Sequence, residues 1–183
     1  LIQHKAPTIE TERLILRLLT PDDLETYHAA VAGDPDVMRY LPGGVPRPIE
    51  RTAQSITAFA LTWQDIGISG LGVVLKAENR VIGQCGLWRL PDGETVEIFY
   101  AIGKAYWGQG LVTEAARAML AYGFNDAGLE QIIALAWPDN KASQRVMQKL
   151  GMTHRGTTDR FYNDTLVLYT LDRADWQAAN TGR

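Results

Sequence analysis

Residues 96–123, VEIFYAIGKAYWGQGLVTEAARAMLAYG, hold the densest chemistry in the 183-residue chain. A strand-like run leads through a loop containing Gly108 and Gly110 straight into an amphipathic helix. Glycine permits tight turning and close approach of a ligand to the backbone. The first turn of a helix offers N–H groups without intrahelical partners, at the positive end of the helix dipole. Strand, glycine loop and helix start therefore suit a phosphate or pyrophosphate. Two familiar nucleotide loops are excluded, because no Lys-Ser/Thr pair follows Gly110 and Thr113 stands where the dinucleotide fingerprint needs its third glycine. On these residues alone, a plain strand–loop–helix connection is an equal alternative. A second constellation, 136–152 (AWPDNKASQRVMQKLGM), reads as a strand end, an Asn-containing turn, a helix and a Gly151 stop. Asn140, Ser143 and Met147 share one helix face, and Lys141, Arg145 and Lys149 share another.

The elements that must position these groups follow from periodicity and turn chemistry. Strands are expected at 13–19, 70–77, 80–89, 95–102, 131–137, 152–158 and 165–172. Helices are expected from Thr20-Pro21 to about Ala32, from Asp34-Pro35 to near Leu41, and over 49–65, 110–127 and 140–150. In the helix after the glycine loop, Val112, Ala116, Met119 and Gly123 should face the core. Leu41–Pro48, with three prolines in its last seven residues, is a loop. Hairpins come first and a β–α–β–α–β stretch later. That order gives a mixed α/β domain on a largely antiparallel sheet with one late helical crossover.

Length fits a single domain spanning 1–183, large enough to bury a core unaided. Eighteen Lys+Arg against twenty-one Asp+Glu leave a net charge of −3, which argues against a nucleic-acid partner but not against a small anion held locally. The longest apolar runs, 71–75 and 132–137, are strand-sized, so no membrane span is expected. The opening LIQHKAPTIE lacks an apolar signal region, which makes the cytoplasm the default location. The single cysteine, Cys85, excludes an internal disulfide and a cysteine zinc site. The three histidines are scattered, so no metal is expected.

Taken together, these segments resemble the GNAT N-acetyltransferase superfamily, and within it the Rim-type acetyltransferases of ribosomal-protein N-termini. The resemblance spans about residues 8–176 and rests on five pieces in order. They are Thr11-Glu-Arg-Leu-Ile-Leu-Arg17, the loop Tyr106–Gly110 with Thr113-Glu114-Ala115, Asn140-Lys-Ala-Ser143 with Lys149–Met152, Asn163–Tyr169, and Asp172–Trp176. It implies a GNAT fold, a twisted, mostly antiparallel sheet of six or seven strands with a splayed central pair and flanking helices. It implies acetyl-CoA as co-substrate, with Ile102 and Gly103 facing the pantetheine arm. The N–H groups of Trp107, Gly108, Gln109, Gly110, Leu111 and Val112 would lie on the pyrophosphate. The position where the superfamily loop usually carries Arg or Gln is Ala105, so a side-chain contribution is missing there. Asn140 would bond the cofactor arm or merely cap its helix. Arg145, with Lys141 and Lys149, would meet the 3′-phosphate or simply be solvated.

Acetyl transfer from a thioester to an amine needs a neutral amine, hence a base to take its proton. It also needs a donor for the oxyanion and a proton for the leaving thiolate. No nucleophilic residue is required, and Cys85 reads as a small strand residue. The superfamily's usual Tyr acid falls at Met147 and is absent. Ser143 is the acid candidate, with Tyr100 a weaker substitute. Glu97 is the base candidate, subject to a strand register in which one residue reverses the face. Glu114 reads as a dipole-complementing residue. Trp88 and Tyr100 are candidates for the acceptor pocket, walled by 41–48 and the helix to Asp65. The acceptor is an amine, a protein N-terminus in the subgroup. A small-molecule amine and a non-catalytic acyl-CoA module are the alternatives, with a monomer or homodimer equally compatible.

Overall fold

Alternating and continuous apolar runs assemble into one sheet in the computed structural model, which describes residues 4–180. Leu1–Gln3, part of the opening segment read as lacking a signal, lie outside the described residues. The first strands are β1 (Ile9–Glu10) and β2 (Leu14–Arg17). A short turn at Pro21–Asp23 leads into α1 (Leu24–Tyr27), then a π-helical turn at His28–Ala32 and α2 (Pro35–Met38). The long α3 (Ile49–Ile66) is followed by β3 (Gly70–Leu75), β4 (Arg80–Arg89) and β5 (Val96–Ile102). Next come α4 (Leu111–Asn125), β6 (Gln131–Ala136), α5 (Lys141–Lys149), β7 (Thr153–Thr158), β8 (Leu166–Asp172) and α6 (Arg173–Asn180).

The strand order is β1-β2-β3-β4-β5-β6-β8-β7. Only β5–β6 is parallel, because α4 carries the chain back across the sheet between them. This is the mixed α/β architecture that the resemblance implied, with an eighth strand added by the two-residue β1, too short to show alternation in sequence. The expected helix 20–32 splits into three hydrogen-bonding types, ending in a π turn closed by Gly33 N–H to the His28 carbonyl at 2.7 Å. The second helical piece stops at Met38 rather than Leu41. Helix α6 was not foreseen, and its Trp176 packs on Phe124 of α4.

The crossover decides the site. Strand β5 pairs with β4 along its whole length but meets β6 at one bridged pair, Glu97 with Ile133. Beyond that pair the two strands diverge, which is the splayed pair the resemblance implied. The pleat sorts the residues of β5 onto two faces. Ile98 and Ile102 join the core under α4, with Tyr100 packed beside them. Glu97, Phe99 and Ala101 face the other side, where Phe99 meets Phe59 of α3 at 6.1 Å between ring centroids. On α4 the buried stripe is Leu111, Ala115, Ala116, Met119, Leu120, Gly123 and Phe124. Val112, expected in the core, sits at its margin, with Leu111, Ala115 and Ala116 taking the buried positions of the first turns. A Cβ on Gly123 would lie 2.7 Å from Ile132 Cδ1, so glycine there lets α4 rest directly on the sheet. Among the described residues no helix is long and apolar enough to cross a membrane.

Candidate active site

The glycine loop does what its sequence foretells. Gly108 and Gly110 adopt φ of +75° and +78°, a left-handed geometry that glycine takes without strain. Gly110 is the residue preceding α4, and the first intrahelical bond there is Glu114 N–H to the Gly110 carbonyl at 3.0 Å. The N–H groups of Gly108 through Thr113 donate to no protein acceptor among the described residues. They form a continuous run of donors at the positive end of a 15-residue helix. A Cβ built on Gly108 would touch nothing within 4 Å, so open space lies directly before the run. These residues fit a pyrophosphate. Trp107 is the correction: its N–H is already bonded to the Lys104 carbonyl at 3.2 Å, so the run starts at Gly108. Its indole N–H instead donates to the Ile102 carbonyl at 2.9 Å, tying loop to strand. At the vacant side-chain position Ala105, the carbonyl accepts from Gln109 Nε2 at 3.1 Å, which closes the loop by another route.

Gly103 N–H donates to Ile82 of β4 at 2.8 Å. In an antiparallel ladder the backbone groups alternate sides. Those of Gly103 therefore face β4, and those of Tyr100 and Ile102 face the gap left by β6. Gly103 is thus removed from the gap edge, while Ile102 stays on it with its carbonyl held by Trp107.

Across the gap, Asn140 caps α5 by accepting from Ser143 N–H at 3.1 Å. The cap uses Oδ1 and leaves the amide nitrogen without a protein acceptor among the described residues. Ser143 and Tyr100, two candidates read from distant segments, meet here: their hydroxyls are 3.0 Å apart, and the Tyr100 hydroxyl also reaches the Ser143 carbonyl at 3.3 Å. Burial raises the Tyr100 pKa, so its hydroxyl keeps its proton at neutral pH. Met147 lies wholly inside the core, and Tyr100 brings to α5 from the strand the phenol that the helix lacks. Arg145 is exposed on the outer side of α5, as are Lys141 and Lys149.

Glu97 lies on the opposite face of β5 from Tyr100 and is only 8% exposed. Burial drives its pKa up to about 7, against the opposing pull of the Tyr162 hydroxyl and the Leu135 N–H. Tyr162 donates to Oε2 at 2.6 Å. Trp88, 38% exposed, stands directly across from Glu97 on β4 and shares its face. An open groove of about 550 Å³ runs between 45–48 and Arg51, Gln54, Ser55 and Ala58 of α3, and none of Glu97, Trp88 and Tyr100 lines it.

Two contributors escaped the sequence reading. Tyr162, in the β7–β8 loop, is 65 positions from its partner, and no local signal links them. Glu114, read as a dipole residue, is a clamp. It accepts from the Thr11 hydroxyl at 2.6 Å, the Arg13 N–H at 2.9 Å and Arg13 Nε at 2.7 Å, while Arg13 Nη1 reaches the Gln109 carbonyl at 3.0 Å. The turn between β1 and β2 thereby fastens both the glycine loop and the first turn of α4. The opening Thr11-Glu-Arg13 run was the available signal.

Residues 13–153 match the family described as the acetyltransferase (GNAT) domain. The chain is 35% identical over 166 residues to the Bacillus subtilis protein YkkB, covering 87% of this chain and 92% of that one. It is 31% identical over 156 residues to the B. subtilis N-acetyltransferase YoaA, covering 85% and 88%. A GNAT-family acetyltransferase from Bacillus anthracis superposes with a TM-score of 0.79 at 29% identity, over 92% of this chain and 99% of that one.

Proposed function

This chain belongs to the GNAT acetyltransferase family and is an N-acetyltransferase, and on that premise we propose that it moves the acetyl group of acetyl-CoA to a protein N-terminal α-amino group, by direct attack in a ternary complex. The observation that carries the reading is the β5–β6 gap, with a titratable carboxylate on one face of β5 and a hydroxyl pair on the other. Bound acetyl-CoA supplies the activated thioester. The N–H groups of Gly108–Thr113 hold its pyrophosphate, and the gap edge at Tyr100 and Ile102 with the free amide of Asn140 holds its arm. Arg145 is left as a peripheral contact. Ser143 and Tyr100 deliver a proton to the leaving thiolate. Glu97 takes the proton from the incoming ammonium: an N–H bond breaks and a carboxyl O–H bond forms.

Matching pKa values support an α-amine as the acceptor. An α-amino group titrates near ~8 and a lysine near ~10.4. Against a base at about 7, the first proton transfer is uphill by about 1 unit and the second by about 3, or roughly 4–5 kcal/mol. That difference favours an α-amine over a lysine or polyamine. Trp88 lines the acceptor side. We take residues 1–183 as one acetyltransferase domain, supported by the continuous sheet, and the cytoplasm as its compartment.

Thiol release from acetyl-CoA tests the reading across a panel of free-N-terminus peptides, the same peptides N-terminally blocked but with a lysine, polyamines and aminoglycosides. Release with the free peptides alone is expected. Release only with polyamines or aminoglycosides overturns the acceptor assignment, and coenzyme binding without release for any amine overturns the catalytic one.

A further inference from the structure

Loop 159–165 between β7 and β8 contributes to no part of the cradle or the gap edge, yet it places a side chain on the buried carboxylate. Tyr162 is 40% exposed and Glu97 8%, so the phenol joins the buried carboxylate to the surface through its hydroxyl. The loop is itself fastened. Arg160 bonds Asp92 Oδ2 at 3.0 Å and lies over the Phe161 ring at 5.0 Å. Asp92, in the turn before β5, is held by the Thr95 N–H at 2.9 Å and the Thr95 hydroxyl at 2.6 Å. The β4–β5 turn and the β7–β8 loop are thus clasped together at the end of β5 where Glu97 sits.

We propose that Tyr162 is a positioning residue for Glu97, and that the Arg160–Asp92 clasp sets where its hydroxyl stands. This rests on the reading of Glu97 as the base. An ionised carboxylate accepts at about four lone-pair sites. Tyr162 and the Leu135 N–H of β6 fix its orientation and leave capacity for an ammonium. The groups facing Glu97 are few. Trp88 of β4 carries no charge, β6 offers only a backbone N–H, and Tyr100 of β5 and Tyr162 are the titratable residues that sense its charge. No cation acts on it among the described residues. The Tyr162 hydroxyl therefore supplies the side-chain stabilisation of the ionised form.

The test compares wild type, Tyr162→Phe, Arg160→Ala and Glu97→Gln in the full chain. Carboxyl ¹³C spectra of Glu-labelled protein, with Glu97 assigned by its loss in Glu97→Gln, give its midpoint directly and need no acceptor. Tyr162→Phe should raise that midpoint by about 0.5–1 unit, since one lost hydrogen bond is worth about three- to tenfold in the protonation equilibrium. Arg160→Ala should move it the same way by less. The acid limb of kcat/KM, measured with the fastest acceptor of the panel above, should shift by the same amount in Tyr162→Phe. An unmoved midpoint, or a uniform rate loss at every pH, overturns the positioning role. If the midpoint shifts but Glu97→Gln keeps both its rate and its acid limb, the assignment of Glu97 as base fails, and the positioning role with it.

Discussion

Replacing Glu97 with Gln should change how stability depends on pH, whatever happens to catalysis. The folded-state pKa of about 7 lies above the ordinary 4.5 because the side chain is buried. The native state therefore holds this proton more tightly than the unfolded chain. Wild type receives the full contribution below pH 4.5 and loses it as pH rises through 7. The shift of about 2.5 units at 1.36 kcal/mol per unit gives about 3 kcal/mol. Gln has the same shape and does not titrate. Its altered hydrogen bonds add an offset that is the same at every pH. The stability of Glu97→Gln minus that of wild type should thus climb by about 3 kcal/mol from pH 4.5 to 7.5 and then level off. Urea unfolding of both proteins at half-unit pH steps measures it, because the other carboxylates cancel in the difference. A flat difference across that window would show that Glu97 is solvated and ordinary, and would remove the pKa match on which the choice of an α-amine rests.

Other consequences concern the cradle and the hydroxyl pair. Burial alone would raise the Glu114 pKa, but Thr11 and Arg13 outweigh it and leave it lowered. Its stabilisation is thus present above the ordinary carboxylate range and lost in acid. With Arg13 half-exposed, Glu114→Ala should cost about 1–2 kcal/mol at neutral pH. It should also weaken acetyl-CoA binding about three- to tenfold by calorimetry, and an unchanged Kd would mean that the clamp does not shape the loop. Ser143→Ala and Tyr100→Phe should each lower kcat about tenfold or more. In a double-mutant cycle they should couple by about 1 kcal/mol, and strict additivity would separate the two hydroxyls.

What was legible in the sequence was local. Gly108 and Gly110 declare the turn and the helix start because only glycine is at ease at positive φ. Asn140 and Ser143 declare a capped helix because their spacing closes the cap. The sheet followed from alternation within each run, except for β1, which offers two residues. The illegible parts were made by the topology. Tyr162 reaches Glu97, and Glu114 reaches Thr11 and Arg13, only because the sheet order brings distant segments together. Trp107 was assigned a role that its backbone had already committed elsewhere, because a 3-10 turn before the loop consumes its N–H. The face of Glu97 hung on a single step of register, which the unbulged β4–β5 pairing decides.

That register carries the mechanism further than any single side chain. Glu97 and Tyr100 are three positions apart on one strand, so the pleat must send them to opposite faces. The arriving amine and the departing thiolate are different atoms on one tetrahedral carbon, so the proposed reaction uses a base and an acid at two separate points. An extended strand beside a gap provides that separation without a loop to order. Direct attack, as proposed, asks for no enzyme nucleophile. Cys85 sits directly across from Tyr100 on β4, wholly buried, and burial drives its thiol pKa upward, which is the reverse of activation. On the function proposed above, these two groups would move protons while the covalent change passes between thioester and amine.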